Sequence, residues 1–324
     1  MVWDLEAHAR AASVNRSRPE ALGVVHLVWA PLGPEPVRAF LRSYLAHSPG
    51  IAHELVIVLN GAPTEGALNG AGRGAGGRGG DGGRWGGGGD DGAALTREGL
   101  TAELAEIEHR LIVLERPVLD LAAYGLAARE LNHERLCFLN SYSVILADGW
   151  LEILTRALDD PGTGLVGATA SWESQSQWIR GRARYWPYQL VSLRSARRDY
   201  PRFPNPHIRT AAFMIERAIL IAMNLEAAQD KRDTYLLESG RRSITRQVLE
   251  RALRAVVCGR DGRAYGVKDW AASRTYRSGE QENLLIADRR TADWQAASPR
   301  VRRRLSHDAW GEHYVDASRG EDGA

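Results

Sequence analysis

The sequence predicts an α/β protein in which helices flank a mostly parallel sheet. Three observations favour this class. Short apolar runs of strand length alternate with segments of helical period, β-branched and aliphatic residues dominate the short runs, and polar residues directly follow several of them. Strands that alternate with helices pair in parallel through crossover connections. Because ligands of such sheets bind outside the carboxyl ends of the strands, the residues that follow the strands are the first candidates for a site.

Each predicted strand is a short apolar run that ends at a polar residue or a turn signal. The run Gly23–Ala30 ends at Pro31, and Glu54–Leu59 ends at an Asn-Gly pair. Four polar residues, beginning at Asn140, directly follow another run. In chain order, the predicted strands are Gly23–Ala30, Glu54–Leu59, Leu111–Leu114, Leu136–Leu139, Thr163–Ala168, Thr210–Ile215 and Val256–Cys258.

Each predicted helix carries apolar residues at three- and four-residue spacing, as packing against a sheet requires. The segment Val37–His47, for example, places Phe40 and Tyr44 on one face. The predicted helices are Val37–His47, Leu100–His109, Leu119–Leu131, Trp150–Leu158, Arg217–Met223 and Thr245–Ala255. Residues 177–209 are expected to be irregular and basic, and Glu238–Gly240 is expected to form a polar turn that opens the last helix.

The chain divides into three parts and an insertion. Residues 1–20 form a polar N-terminal segment, residues 21–258 form the α/β domain, and residues 259–324 form an irregular C-terminal extension that packs on the domain or trails it. More than half of residues 66–92 are glycine. Such a segment cannot bury enough apolar surface to offset its chain entropy, so we predict a disordered insertion in a surface loop there.

The composition argues against several classes of protein. Lys and Arg number 42 against 40 Asp and Glu, and this net charge of +2 predicts no nucleic-acid partner. The two cysteines, Cys137 and Cys258, lie in apolar runs and are expected to be buried free thiols. No run reaches the roughly 18 apolar residues of a membrane helix, and residues 1–20 lack an apolar signal core. We therefore expect a cytoplasmic protein, with peripheral contact at the inner face of the membrane left open.

The order of these elements resembles the family-2 glycosyltransferases, which have the GT-A fold. The segments that carry the resemblance, between residues 23 and 258, are VVHLVWAPLG, ELVIVLNG, DLAAYGLAARELNHERLCFLNSYSVILADGWLEIL, and TAAFMIERAIL followed by Glu238. The resemblance implies a Rossmann-like domain that binds a nucleotide-sugar donor and a glycan or lipid-linked glycan acceptor. It places Asn60 at the nucleotide base, and Asn140, Ser141 and Tyr142 at the donor diphosphate. Ordinary turns are the alternative explanation at both places.

The sequence departs from the family at the metal motif. In the family, a strand ends in Asp-x-Asp, whose aspartates hold a divalent cation, Mn²⁺ or Mg²⁺, against the donor diphosphate. Here Asn140 and Tyr142 occupy those positions. A neutral amide and a phenol are poor ligands for a hard cation, which prefers carboxylate oxygen. The expectation of a cation is therefore weakened. Asp148 remains as a nearby carboxylate, and arginine is an alternative counter-charge.

The resemblance also implies a catalytic base and acceptor contacts. Glu238 matches the acidic residue that takes the proton from the acceptor hydroxyl, although a helix N-terminal acid that interacts with the helix dipole would be an alternative reading. His207 and Arg209, in FPNPHIRT, are candidates for acceptor or phosphate contacts, with a structural turn as the alternative. Trp172 is a candidate for stacking on a sugar ring, although packing in the core is the commoner fate of tryptophan.

Three functions stay open from the sequence alone. The first is an inverting glycosyltransferase that acts on a bacterial surface glycan or its precursor. The second is a non-catalytic carbohydrate- or nucleotide-binding descendant of the same fold, which the loss of the aspartates makes credible. The third is a nucleic-acid-binding α/β protein, which only the arginines of residues 177–209 suggest.

Overall fold

An eight-stranded sheet lies at the centre of the protein. The computed structural model describes residues 21–63, 94–178 and 198–316. The strands of the sheet are β1 (Leu22–Trp29), β2 (Glu54–Asn60), β3 (Arg110–Val113), β4 (Arg135–Leu139), β6 (Thr163–Gly167), β9 (Ala212–Glu216), β10 (Arg254–Cys258) and β11 (Ala264–Tyr265). Four short strands form two further ladders, β5 (Val144–Ile145) with β12 (Ile286–Ala287) and β7 (Ala170–Ser171) with β8 (His207–Ile208).

The sheet is mostly parallel, as the sequence predicts. Its strand order is β11-β10-β6-β9-β4-β1-β2-β3. β1 pairs in parallel with β2 and β4, β2 with β3, and β6 with β10. β9 runs antiparallel between β4 and β6, and β11 runs antiparallel at one edge. The predicted α/β class is therefore confirmed, and the carboxyl ends of β1, β2 and β4 meet the amino end of β9 at the same edge.

Helices cover both faces because side chains alternate along each central strand. On β1, Val25 and Leu27 enter one core, whereas Val24 and Val28 enter the other. The helices are α1 (Glu35–Ala46), α2 (Arg97–Glu103), α3 (Asp120–Glu130), α4 (Trp150–Asp159), α5 (Gln175–Trp178), α6 (Arg217–Ile221), α7 (Lys231–Ser239), α8 (Ile244–Glu250), α9 (Arg289–Gln295) and α10 (Pro299–Trp310). Buried residues of α3 belong to the first core, and those of α1 and α4 belong to the second.

The seven predicted strands agree with the structure to within two residues at each end. The prediction that Glu238 lies in a turn that opens a helix is wrong, because this residue lies in the last turn of α7. The sequence of α7, KRDTYLLES, has too few apolar residues to show a helical stripe, and its start is fixed by Asp230, whose side chain accepts a hydrogen bond from the backbone of Asp233. Two predicted helix ends are also wrong, since α2 stops at Glu103 and α8 stops at Glu250.

The described part of the C-terminal extension, residues 259–316, packs onto the sheet. Trp270 and Trp310 are fully buried in the first core, together with residues of α3. The indole nitrogen of Trp310 donates to the backbone oxygen of Tyr276 at 2.7 Å. Trp310 lies at the end of α10, which is rich in arginine. The few apolar residues of this helix form no periodic pattern in the sequence.

Several sequence predictions fall on other parts of the chain. Residues 1–20, the glycine-rich stretch 66–92 and most of the basic run 177–209 lie outside the described residues. Cys137 and Cys258 are buried free thiols, as predicted. Among the helices of the described residues, none is long and apolar enough to cross a membrane.

His26, in the middle of β1, is a fully buried ring without a polar partner. Neither ring nitrogen has a hydrogen-bond partner, and the ring stacks on Phe40 with 3.7 Å between centroids and an interplanar angle of 9°. Because burial disfavours the charged form, the pKa of His26 is lowered from 6.5 to about 3. The imidazole therefore stays neutral in the folded protein under mildly acidic conditions.

We expect His26→Leu to make the protein less sensitive to acid. As the pH falls below 6.5, the unfolded chain binds a proton at His26 that the folded chain does not bind, so acid lowers the stability of the wild type. At about 1.36 kcal/mol per pH unit, this term costs about 3 kcal/mol at about pH 4. Urea unfolding of both proteins at about pH 7 and pH 4 measures the difference. An equal loss of stability in both proteins would contradict the prediction.

Candidate active site

The polar residues after β4 form one rigid turn at the carboxyl edge of the sheet. The side-chain oxygen Oδ1 of Asn140 accepts hydrogen bonds from the backbone of Tyr142 and from Oγ of Ser143, both at 3.1 Å. Ser141 Oγ accepts from the backbone N–H of Trp29 at 3.0 Å and so joins this turn to the end of β1. Asn140, Ser141 and Tyr142, the three predicted diphosphate contacts, are thus brought together.

Asn60 lies at the end of β2 and is fully buried. Its amide nitrogen donates to the backbone oxygen of Val118 at 2.8 Å, and its amide oxygen accepts from the backbone N–H of Val118 at 3.1 Å. Both ends of the amide are therefore engaged in fixing the loop that leads into α3. A contact from Asn60 to a nucleotide base stays a prediction from the resemblance.

Glu238 lies beside the Asn140 turn, although it belongs to a distant segment of the chain. Its Oε1 accepts a hydrogen bond from Thr210 Oγ1 at 3.3 Å. The next residue, Ala211, accepts a backbone hydrogen bond from Asn140 at 2.8 Å. A carboxylate in the last turn of a helix is disfavoured by the helix dipole, so helix stability does not explain the position of Glu238. The residue is only partly buried, so solvent reaches it.

Asp120, at the start of α3, is a second acid that sequence reasoning missed. The residue as a whole is exposed to solvent, but nearby protein atoms partly desolvate its carboxyl. Desolvation and then the negative charge of Glu238 raise the pKa of Asp120. The protonation of Asp120 is therefore sensitive to the charge of Glu238. Asp120 could have been predicted from the sequence, because it lies at the start of a predicted helix that follows a predicted strand at the carboxyl edge.

His207 lies in β8 and is almost completely buried. Its Nδ1 lies 2.9 Å from the backbone oxygen of Asn205, so Nδ1 carries the proton in the neutral ring and Nε2 is the acceptor. Burial lowers the pKa of His207, and the hydrogen bond to Asn205 and the charge of Glu238 oppose that effect. The ring is therefore a neutral neighbour of Glu238, and a contact to the acceptor stays a prediction.

Arg209 is held in an internal ion pair, which argues against a direct phosphate contact. Its guanidinium lies 2.7 Å from the carboxylate of Asp288, and both side chains are less than one-tenth exposed. The guanidinium also lies over the ring of Tyr276, at 4.3 Å from the centroid. Burial lowers the pKa of Arg209, but the charge and hydrogen bond of Asp288, together with Tyr276 and Glu238, more than offset burial and raise it. The positive charge of Arg209 is thus already compensated within the protein.

Trp172 packs in the core and not on an open surface. The ring is 7% exposed. It makes edge contacts with Trp310 and His313, at centroid distances of 5.4 Å and 5.2 Å. Little of its surface is open to a sugar, so the alternative of core packing describes its environment better than the acceptor role does.

The residues at the metal motif do not fit a divalent cation. Asn140 Oδ1 already accepts two hydrogen bonds. Asp148 Oδ1 accepts from the backbone of Ser48 at 2.9 Å and lies 3.3 Å from His47 Nδ1, so its carboxylate fixes the end of α1. Within residues 21–63, 94–178 and 198–316, no group of three or more His, Cys, Asp or Glu side chains is arranged to hold a metal ion.

A cavity of about 950 Å³ lies at the opposite edge, by the amino ends of β1, β2 and β3. Carboxylates dominate its charged lining, which includes Glu54, Glu106 and Glu108. Such a lining repels an anionic ligand such as a diphosphate. The carboxyl edge is therefore the better candidate for an active site.

The sequence matches no model of a known protein family, and no curated protein matches it significantly. One solved structure that it resembles is the mannosyltransferase PcManGT from Pyrobaculum calidifontis, in complex with GDP-Man and Mn²⁺. The TM-score is 0.42 and the sequence identity is 12%, over 83% of this chain and 66% of that one. The chain thus spans just under two thirds of the length of the mannosyltransferase. A similarity of this strength leaves the choice of function to the geometry of the site.

Proposed function

We propose that the protein is an inverting glycosyltransferase that uses a nucleotide-sugar donor. The observation that carries this proposal is the position of Glu238, held by Thr210 beside the Asn140 turn at the edge where ligands of parallel sheets bind. A partly exposed carboxylate at that point can take a proton from an acceptor hydroxyl. The resemblance to family-2 glycosyltransferases gives the same residue the same role.

The proposed reaction is a single displacement at the anomeric carbon of the donor sugar. The acceptor oxygen forms a bond to that carbon while the bond from the carbon to the donor phosphate oxygen breaks. The acceptor proton passes to Glu238, and the nucleoside diphosphate leaves with the electron pair. Attack from the opposite side inverts the anomeric centre. A glycan or lipid-linked glycan of the bacterial surface is the proposed acceptor, on the strength of the resemblance alone.

A panel of UDP-, GDP- and dTDP-sugars tests donor binding through thermal unfolding. A ligand that binds the folded state stabilises it by RT ln(1 + [L]/Kd), so a donor present at about 100 times its Kd adds about 2.7 kcal/mol. We expect at least one nucleotide sugar to raise Tm, and the corresponding free sugar to leave it unchanged. A panel without any shift would contradict the proposed function.

Binding without transfer is the second candidate function, and the neutral residues at Asn140 and Tyr142 favour it. Release of a nucleoside diphosphate from the donor that binds best distinguishes the two candidates. Turnover in the presence of a suitable acceptor supports the enzyme, whereas donor binding with no release supports the binding protein.

We expect donor binding to depend little on divalent cations. The reason is that Asn140 Oδ1 is already engaged and that the carboxylate of Asp148 is directed to the end of α1. Titration calorimetry in chelator and in Mn²⁺ should give dissociation constants that differ by less than about tenfold, or about 1.4 kcal/mol. A much larger loss of affinity in chelator would show that other carboxylates restore a cation site.

A further inference from the structure

The C-terminal extension brings an arginine to the Asn140 turn. β12 pairs antiparallel with β5, with Ile286 opposite Ile145 and Ala287 opposite Val144. β12 ends at Ala287, and Arg289 begins α9 two residues later, close to Tyr142 of the turn. The short ladder therefore holds this part of the extension next to the turn.

Asp288 fixes the backbone at this point from two sides. Its Oδ2 pairs with Arg209 at 2.7 Å, and its Oδ1 accepts from the backbone N–H of Thr291 at 2.8 Å. In return, the hydroxyl of Thr291 accepts from the backbone N–H of Asp288 at 2.8 Å, which completes a capping box at the start of α9. The residue that follows, Arg289, thus extends from a rigid support.

The side chain of Arg289 is available to a ligand. Its guanidinium carbon lies 5.7 Å from the centroid of the Tyr142 ring, within the range of a cation–π contact. The side chain is 42% exposed, and its ion pair with Asp293 is long, at 3.9 Å, with Asp293 69% exposed. Such surface pairs contribute little, so a better anionic partner can displace Asp293.

Carboxylates near the turn would repel a bound diphosphate unless a positive charge compensates them. A donor diphosphate would lie near the carboxyls of Glu238 and Asp120, and its repulsion from them is costly without a positive charge in between. Arg209 is already neutralised by Asp288. The residues of the metal motif do not fit a divalent cation, whereas a guanidinium binds phosphate oxygens through two parallel hydrogen bonds.

We propose that Arg289, supported on the ring of Tyr142, binds the donor diphosphate in the place that a divalent cation has in the resembling family. This inference rests on the proposed use of a nucleotide sugar. It assigns a binding role to the C-terminal extension. Asn140 and Tyr142 are poor ligands for a metal ion, so Arg289 of the extension supplies the positive charge instead.

Titration calorimetry in chelator, with UDP, GDP and inorganic pyrophosphate as probes, tests Arg289→Ala against the wild type. Loss of charge-assisted hydrogen bonds should raise the dissociation constants of the diphosphate probes about 10- to 100-fold. Arg289→Lys keeps the charge without the planar fork and should give a smaller loss. The matched control is Arg263→Ala, which removes an exposed arginine over another tyrosine ring, 5.2 Å from the centroid of Tyr265, beside the edge strand β11, which three strands separate from β4. Uridine and guanosine serve as probes without phosphate.

A selective loss in Arg289→Ala, with the Arg263→Ala control within about twofold of the wild type and an unchanged Tm, supports the proposal. Equal affinity of Arg289→Ala and the wild type for the diphosphates overturns it and leaves the proposed function intact. Diphosphate binding by the wild type that appears only with Mn²⁺ also overturns it. If the wild type binds none of the diphosphates and no nucleotide sugar, the inference and the proposed function fail together.

Discussion

Glu238→Gln is expected to abolish most of the sugar transfer while leaving donor binding intact. The amide keeps the size of the side chain and can still accept the hydrogen bond from Thr210, but it cannot take a proton from the acceptor. Loss of a positioned general base costs about 10²–10⁴ in rate. Turnover and the donor-induced shift in Tm are therefore measured on the same variant.

The two measurements separate a catalytic role from a structural one. Reduced turnover with an unchanged donor shift supports Glu238 as the base. Turnover that persists within a few-fold would place the base elsewhere, and Asp120 would be the next carboxyl to test because its charge is coupled to that of Glu238. Simultaneous loss of turnover and of the donor shift would leave Glu238 with a structural or donor-binding role.

Arg209→Met is expected to destabilise the protein by about 3–5 kcal/mol, because it leaves the carboxylate of Asp288 buried without its partner. Asp288→Asn in the Arg209→Met background removes the charge and keeps a side chain that caps α9, so the double variant should regain most of the loss. Urea unfolding of the two single variants and the double variant gives the coupling energy. The control is Glu130→Gln, which breaks the exposed pair with Arg110 and should cost at most about 1 kcal/mol.

The pH dependence of Arg209→Met gives an independent check. In the wild type, burial raises the pKa of Asp288, but the charge of Arg209 and the hydrogen bonds from Arg209 and Thr291 together outweigh burial and lower it. Without Arg209 the buried carboxyl favours protonation, so its folded-state pKa lies above the unfolded value. The destabilisation of Arg209→Met should then shrink as the pH falls towards that unfolded value. A coupling energy near zero between Arg209 and Asp288, or a destabilisation of Arg209→Met that does not change with pH, would contradict the assignment of a buried ion pair.

The strands were predictable because each is a local apolar run, and polar or turn-forming residues mark where the run ends. The strand over 54–60, for example, was found from its β-branched core and the turn that follows it. The antiparallel direction of β9 was not predictable, since Ala212–Glu216 has the same apolar character as a parallel strand buried on both faces. The helix α7 was missed because its side chains show no apolar stripe.

The site was predictable only where it follows a strand. The turn at Asn140–Ser143 and its neighbour Glu238 were found in the sequence, but the bond from Ser141 to β1 depends on tertiary contacts. Arg289 comes from the extension, where a capping box starts α9 and single buried tryptophans anchor α9 and α10, so the helices show little periodicity. A single sequence cannot show that position 289 lies beside position 142, because pairing of two-residue strands leaves almost no local signal.

A crystal structure of the protein with the nucleotide sugar that gives the largest thermal shift tests the proposed donor site. This site predicts electron density for the diphosphate at the carboxyl edge, within hydrogen-bond distance of the Arg289 guanidinium, with the anomeric carbon facing Glu238. Density for the nucleotide in the acidic cavity at the amino ends of the strands, or a diphosphate held by a cation on Asp148, would contradict it.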